Sequence, residues 1–392
     1  MKYLYIIIVI LLYSCSTSQK EEVHRVENLL SPAGLDSEEP TFFNTKNGTG
    51  LTWLEKNGEV VTLNYANYKN KNWSEPKTLI SGEKLLANWA DFPGIQTNGD
   101  HWVAWYMEIN NPDFFAYDVM IMQSSDNGDS WTAPQRLHSD TTLTEHGFVS
   151  AIPSKNGFQL IWLDGRLATE DNPIFTIRTA QLDFEGVISN RTILDNNTCT
   201  CCQTTLINTG NDNFIALFRD HTEEEIRDIA AVNFNSIGES SDSKIIYNDK
   251  WNIAGCPVNG PRSILNGAEI GIAWFTMGEE GVSKVQFSVS KDNGQTYSAP
   301  FIIDDNNLGR VDLLAFDGAY YISYMDETQS GTEIRIAKIQ DDKITDSYFI
   351  AKVSSSRKTG FPRMSLAEDG EGIYITFTDV ETKKVEIKFL TF

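Results

Sequence analysis

Ser124-Ser125-Asp126-Asn127-Gly128-Asp129-Ser130-Trp131-Thr132-Ala133-Pro134 and Ser290-Lys291-Asp292-Asn293-Gly294-Gln295-Thr296-Tyr297-Ser298-Ala299-Pro300 are two copies of one turn. In each, the Asp offers acceptors to turn amides, Asn-Gly supplies left-handed backbone, and the aromatic is placed to pack. Each copy follows a short alternating apolar run, Val119 to Ser124 and Val285 to Ser290, which reads as a strand. Asn72-Trp73-Ser74-Glu75-Pro76 is a reduced third copy.

Outward from these turns the chain repeats. Apolar runs that end in an aromatic close at Trp53, Trp105, Trp162, Phe218, Trp274, Tyr324 and Phe377, about 50 to 57 residues apart. Helical periodicity is nearly absent. Each unit holds a four-stranded antiparallel meander, with the aromatic on its second strand, and seven such units form an all-β propeller. Six blades and an irregular segment is the alternative. The last unit, Phe361 to Phe392, has room for three strands, so Val23 to Leu30 is expected to supply the outer strand that closes the ring.

The formal net charge is −22 and the pI about 4.6, a balance that repels nucleic acid and anionic membranes. A monomer is expected. Residues 1–14 read as a signal peptide, since the apolar run from Tyr3 to Tyr13 is too short to span a bilayer. Leu12-Tyr13-Ser14-Cys15 resembles a bacterial lipobox, which implies lipidation at Cys15. Residues 15–22 then form a polar tether and residues 23–392 the propeller. The Lys-Glu-Glu after this Cys resembles the surface-export signal of Bacteroidetes lipoproteins. The expectation is an extracytoplasmic protein, anchored by lipid to the outer membrane and exposed at the cell surface.

The two turns match the Asp-box, S-x-D-x-G-x-x-W/Y, and the chain resembles the sialidase-like (BNR repeat) propellers. Further stretches resemble bacterial secreted members of that group. They include Asn88-Trp89-Ala90-Asp91-Phe92-Pro93, His146-Gly147-Phe148-Val149-Ser150, Trp162-Leu163-Asp164-Gly165-Arg166, Cys199-Thr200-Cys201-Cys202-Gln203 and Gly309-Arg310-Val311-Asp312. The resemblance spans about residues 85 to 365 and implies glycan chemistry by kinship of fold. The Asp-box itself is structural.

Register places the inter-blade loops and the loops after each second strand at one mouth of the channel. Asp91, His146, Glu55, Asp164, Arg166, Arg219, Arg310 and Arg363 fall there, with Tyr117 and Asp118 close by; the Asp-boxes fall on the opposite face. Arginine suits bidentate capture of a carboxylate or sulfate. Arg166, Arg219, Arg310 and Arg363 are therefore the candidate substrate-binding set, each also able to pair with a neighbouring Asp as a structural bridge. The resemblance to sialidases implies an Asp acid and a Tyr/Glu pair, for which Asp91 and Tyr117 are candidates, although the N-terminal Arg-Ile-Pro motif of sialidases is absent. The leading expectation is a glycoside hydrolase acting on acidic glycans. A lyase that cleaves uronate polymers with His146 and Tyr117, and a binding protein without catalysis, are the alternatives.

Beyond Cys15, four cysteines remain. Outside the cytoplasm they pair as disulfides among Cys199, Cys201, Cys202 and Cys256, for example Cys199–Cys202 with Cys201–Cys256. The alternative is a structural zinc held by Cys201, Cys202, Cys256 and His146. No cofactor is required otherwise. His24, His101 and His138 read as ordinary surface or strand residues.

Overall fold

Alternation of apolar and polar residues gives strands throughout, and within each blade they form an antiparallel meander, with the chain ends meeting in the last. The computed structural model describes residues 24–46, 48–112, 115–169 and 174–392. The expected signal peptide 1–14, the expected lipidation site Cys15 and the expected tether 15–22 lie outside the described residues. Seven antiparallel sheets are present, so the ring has seven blades and not six. No α-helix occurs among the described residues; Arg357–Thr359 forms a single 3-10 turn.

The first strand of each blade lines the axis: Ser37–Thr45, Gly94–Asn98, His146–Ser154, Thr205–Gly210, Arg262–Asn266, Asn307–Phe316 and Arg363–Leu366. Each touches the first strand of the next blade, and the seventh touches the first. All seven repeating aromatics lie on second strands, and Trp53, Trp162, Phe218 and Trp274 are fully buried. Burying a side chain of that size contributes roughly 2–3 kcal/mol, which explains why the repeat keeps a large ring there. The indole nitrogens need acceptors once buried. Trp53 donates to Glu55 (2.8 Å), Trp162 to Asp164 (2.8 Å) and Trp274 to Asp249 (2.7 Å). Glu55 and Asp164, placed at the mouth by register, are thus each held by a core indole.

Both Asp-boxes have the expected geometry. Asp126 accepts from Ser124 Oγ, Ser130 N and Ser130 Oγ at 2.6–2.9 Å, and Asp292 accepts from Ser290 Oγ, Thr296 N and Thr296 Oγ1 at 2.6–3.0 Å. Gly128 (φ +80°) lies so close to the Trp102 ring that a Cβ would stand 2.6 Å from it. Trp131 and Tyr65 join the second blade to the first. The residue after the aromatic caps the third strand in each copy: Thr132 accepts from Gln123 N and Ser298 from Val289 N. Ser74 accepts from Asn67 N in the same way, which identifies the reduced third copy as a true relative of the other two.

Ring closure joins the two ends of the chain. Val26–Leu29 pairs antiparallel with Lys384–Thr391 as the outer strand of the seventh blade, in the register Val26↔Leu390 to Leu29↔Ile387. Inner contacts reinforce the seam. Val385 N donates to Ser37 Oγ (2.9 Å), Glu39 N to Thr378 Oγ1 (3.2 Å), and the Thr49 and Ser365 hydroxyls meet at 3.1 Å. Deleting residues 24–30 leaves Lys384–Thr391 as a bare edge. The truncated protein is expected to show a lower thermal midpoint by calorimetry and concentration-dependent association by gel filtration, with retained β-sheet circular dichroism.

Candidate active site at the channel mouth

A recurring backbone device shapes the mouth. Three inner strands carry a bulge near their start, between Glu38 and Thr41, Gly147 and Ser150, and Gly309 and Asp312. Each bulge holds a non-glycine residue in left-handed backbone: Glu39 (φ +57°), Phe148 (φ +55°) and Arg310 (φ +54°). Such backbone costs on the order of 1 kcal/mol or more per residue and re-aims the chain beside a site.

Phe148, in the third blade, brings its amide 2.8 Å from Asp91 Oδ1. Gly147 beside it admits the carboxyl, because a Cβ there would stand 1.8 Å from Asp91 Oδ2. The Tyr117 ring packs against the same point, and its hydroxyl is 3.5 Å from Glu145 Oε2. Asp91 is 2% exposed and Tyr117 1% exposed. Burial pushes the Asp91 carboxyl up to about 7, against the Phe148 amide and the Tyr117 hydroxyl. Burial likewise pushes Glu145 up to about 7. Glu39 is also raised, first by burial and then by its neighbour Glu38, with Asp91 adding to the effect. Tyr117, between two carboxyls, is held well above the ordinary phenol range by burial and their charge. The result is a phenol flanked by carboxyls that titrate near neutrality, so that one holds a proton while the other is ionised, the pairing a general acid and its partner base require. Glu39 and Glu145 were not singled out in the sequence; Glu145 precedes the quoted His146 and pairs across the blade boundary with Tyr117.

Two cavities meet this cluster. The axial one, about 250 Å3, is lined by inner-strand residues of all seven blades and by Ala90, Asp91, Phe92, Gln203, Arg262, Asp312 and Arg363. The outer one, about 400 Å3, is lined by Glu38, Glu39, Lys56, Asn88, Trp89, Phe115 and Lys358. Between them stand Trp89, stacked on Phe361 at 5.8 Å, and Phe92, at 6.3 Å from the same ring.

The four predicted arginines do not share one site. Arg166 is clamped on Asp164 by two bonds, Nε to Oδ1 (2.7 Å) and Nη2 to Oδ2 (2.6 Å), and reaches Asp140 at 2.7 Å. Arg219 is buried and donates to the Phe275 carbonyl (2.7 Å), to Asn259 O (2.9 Å) and to Arg227 O. Arg310 donates to Ser355, Ser356 and Gly360 carbonyls while lying over the Trp89 ring. These guanidiniums hold loops together across blade boundaries. Arg363 alone of the four lines the axial cavity, between the Phe92 and Phe361 rings.

His146 is sealed away from both cavities. Its ring stacks on His138 at 3.7 Å and its nitrogens contact the Tyr117 carbonyl and Asp140. Burial lowers its pKa. This placement removes it as a base for elimination. It also corrects the reading of His138, which is 2% exposed and lies 3.2 Å from both Asp118 and Asp140. The zinc set is not assembled either: the sulfurs are paired as Cys199–Cys202 and Cys201–Cys256, and His146 belongs to a different cluster. The two disulfides tie the loops that enter the fourth and fifth blades.

The comparisons with known proteins agree with this architecture. A model of the BNR repeat-like domain matches residues 55–370. The chain belongs to that family. No protein of curated function matches this BNR repeat-like chain in sequence. A lectin from Burkholderia pseudomallei superposes with a TM-score of 0.59 at 10% identity, covering 91% of this chain and 97% of the lectin. An α-L-arabinanase from Penicillium chrysogenum, complexed with arabinobiose, gives 0.53 at 9%, covering 94% and 98%. A protein of unknown function from Dyadobacter fermentans gives 0.53 at 12%, covering 94% and 97%. At these identities the likeness is one of fold.

Two outcomes follow from the geometry. Arg166→Ala strips a fully buried carboxylate of its main partner, so a loss of about 3 kcal/mol is expected in denaturant titration. Asp91, raised to about 7 from an ordinary 3.8, keeps its proton in the folded state over a range where the unfolded chain has lost it. That contribution is complete below about pH 4 and lost as pH rises through 7. Asp91→Asn keeps an acceptor for Phe148 N and cannot ionise. The variant is expected to gain on the wild type as pH rises from 4 to 8, by about 4 kcal/mol at most, read from thermal melts across that range.

Proposed function

We propose that this protein is an extracytoplasmic, lipid-anchored glycan-active propeller that hydrolyses an acidic glycan at the mouth cluster. The observation that carries the reading is the Asp91–Tyr117–Glu145 arrangement. A buried carboxyl that holds its proton up to about pH 7 lines the axial cavity, and a phenol paired with a second carboxyl packs behind it. Asp91 is the proton donor to the leaving oxygen. In the form with Asp91 protonated and Glu145 ionised, Glu145 takes the Tyr117 proton as the phenol oxygen bonds to the anomeric carbon and the glycosidic bond breaks; water then displaces the phenol oxygen, giving one proton to Asp91, while Glu145 returns the phenol proton. Trp89 and Phe115, facing the outer cavity, offer apolar surface to a sugar ring. The carbohydrate-binding and carbohydrate-cleaving proteins that share the fold support a glycan as the ligand. Two disulfides suit an oxidising compartment, which supports the extracytoplasmic placement.

Elimination loses its histidine base, because His146 is enclosed by His138, Asp140 and the Tyr117 carbonyl. The test is product mass spectrometry on sialylated, uronate-containing and sulfated oligosaccharides. Products heavier by one water are expected from the wild type, with at least a hundredfold lower turnover in Asp91→Asn and in Glu145→Gln. Unsaturated products would overturn hydrolysis, and unchanged rates in both variants would overturn the assignment of the cluster.

A further inference from the structure

Inside the axial cavity, two guanidiniums face one carboxylate. Arg262 begins the inner strand of the fifth blade, Arg363 that of the seventh, and Asp312 lies on the sixth between them. Arg262 Nε is 3.6 Å and Arg363 Nη1 3.8 Å from the same oxygen, Asp312 Oδ1, both beyond hydrogen-bond length. The other oxygen, Oδ2, is taken by Met364 N at 2.8 Å. Arg363 Nη2 reaches Gln203 Oε1 at 3.4 Å. Arg262 Nε, Arg363 Nε and Arg363 Nη1 have no hydrogen-bond partner among the described residues, and Arg363 is 4% exposed.

This is an unbalanced interior: two positive groups, one negative, and three buried donors left idle. An unmatched buried charge costs several kcal/mol, and idle donors add to that cost. The desolvation is already severe enough to depress both guanidiniums below their ordinary range, with Arg262 adding to the effect on Arg363. Arg219 and Arg310, also buried, solve the problem with main-chain carbonyls. Arg262 and Arg363 instead line an axial space of about 250 Å3, small for an extended organic ligand and roomy enough for one small anion with a few waters.

We propose that Arg262 and Arg363 form an oxyanion-binding site within the channel, which takes a sulfate, phosphate or carboxylate group on the idle guanidinium donors. The forked donors of arginine match the paired oxygens of such groups. Such a ligand also ties the fifth, sixth and seventh blades at the axis. The site is one of binding and stands whether or not the mouth cluster turns over a glycan.

Calorimetric titration of the folded protein in chloride buffer, with sodium sulfate, sodium phosphate, glucuronate and glucose as probes, tests the proposal without reference to turnover. Saturable 1:1 binding of sulfate or phosphate, weakened at least tenfold in Arg262→Met and in Arg363→Met, identifies a free inorganic anion. Binding of glucuronate but of no inorganic anion and not of glucose, lost in the same variants, identifies the acidic group of a sugar. Asp312→Asn, which removes the competing charge and keeps an acceptor for Met364 N, is expected to tighten whichever anion binds by at least fivefold. It remains informative if a methionine variant folds poorly. Absence of anion binding in the wild type, affinity untouched by the arginine substitutions, or weaker binding in Asp312→Asn would each overturn the site.

Discussion

The pairing of Val26–Leu29 with Lys384–Thr391 is the contact on which the rest of the ring depends. Seven blades fan around an axis only if the last meets the first, and among the described residues no covalent bond makes that join. Once it is made, the seven inner strands are forced into mutual contact and their inward side chains share one narrow space. Polar groups on those strands then have few partners to choose from. The mouth cluster and the arginine pair at the axis both follow from this crowding: Asp91 is buried because a neighbouring inner strand bends over it, and Arg262 and Arg363 converge because the ring turns them toward the same Asp312.

The period of the aromatics was legible because burial selects a large ring at the same place in every blade, and that choice leaves a mark in composition. Trp53, Trp162 and Trp274 are therefore readable as core from the sequence. Their acceptors were not. Glu55 and Asp164 fall at the mouth by register and look like ligands, but a buried indole N–H needs an oxygen and the nearest carboxylate along the strand supplies it. A register argument fixes which face a residue joins; it does not say whether a neighbour has already claimed its charge.

Arg219 and Arg310 show the same limit more sharply. Their partners are carbonyls of Asn259, Phe275, Ser355, Ser356 and Gly360, and a carbonyl has no signature in a sequence. Arg262 opens the inner strand of the fifth blade as Arg363 opens that of the seventh, and no motif around it marks it as a ligand in the sequence. The bulges are equally silent: Glu39, Phe148 and Arg310 occupy the same distorted position in three blades, yet they share no chemistry. What the three share is backbone geometry, imposed by the need to turn each chain over the axis. Glu39 and Glu145 became visible only when that geometry set them beside Asp91 and Tyr117.

Local features of this molecule oppose one another at the mouth. Left-handed backbone at Phe148, a carboxyl buried against a phenol and two guanidiniums facing one carboxylate all work against the folded state. Packing sustains them from either side. On one side lie the aromatic contacts of Trp89, Phe92 and Phe361 and the two disulfides. On the other lies the Asp118–His138–Asp140–His146–Arg166 network, which holds the inner strand of the third blade by its first residue. His146 is thus better understood as a support than as a reagent: its contact with the Tyr117 carbonyl fixes the strand that carries the phenol, while Gly147 and Phe148, the next two residues, shape the pocket of Asp91. The strain sits where the Asp91 carboxyl is buried, and the rigidity that sustains it begins one residue away.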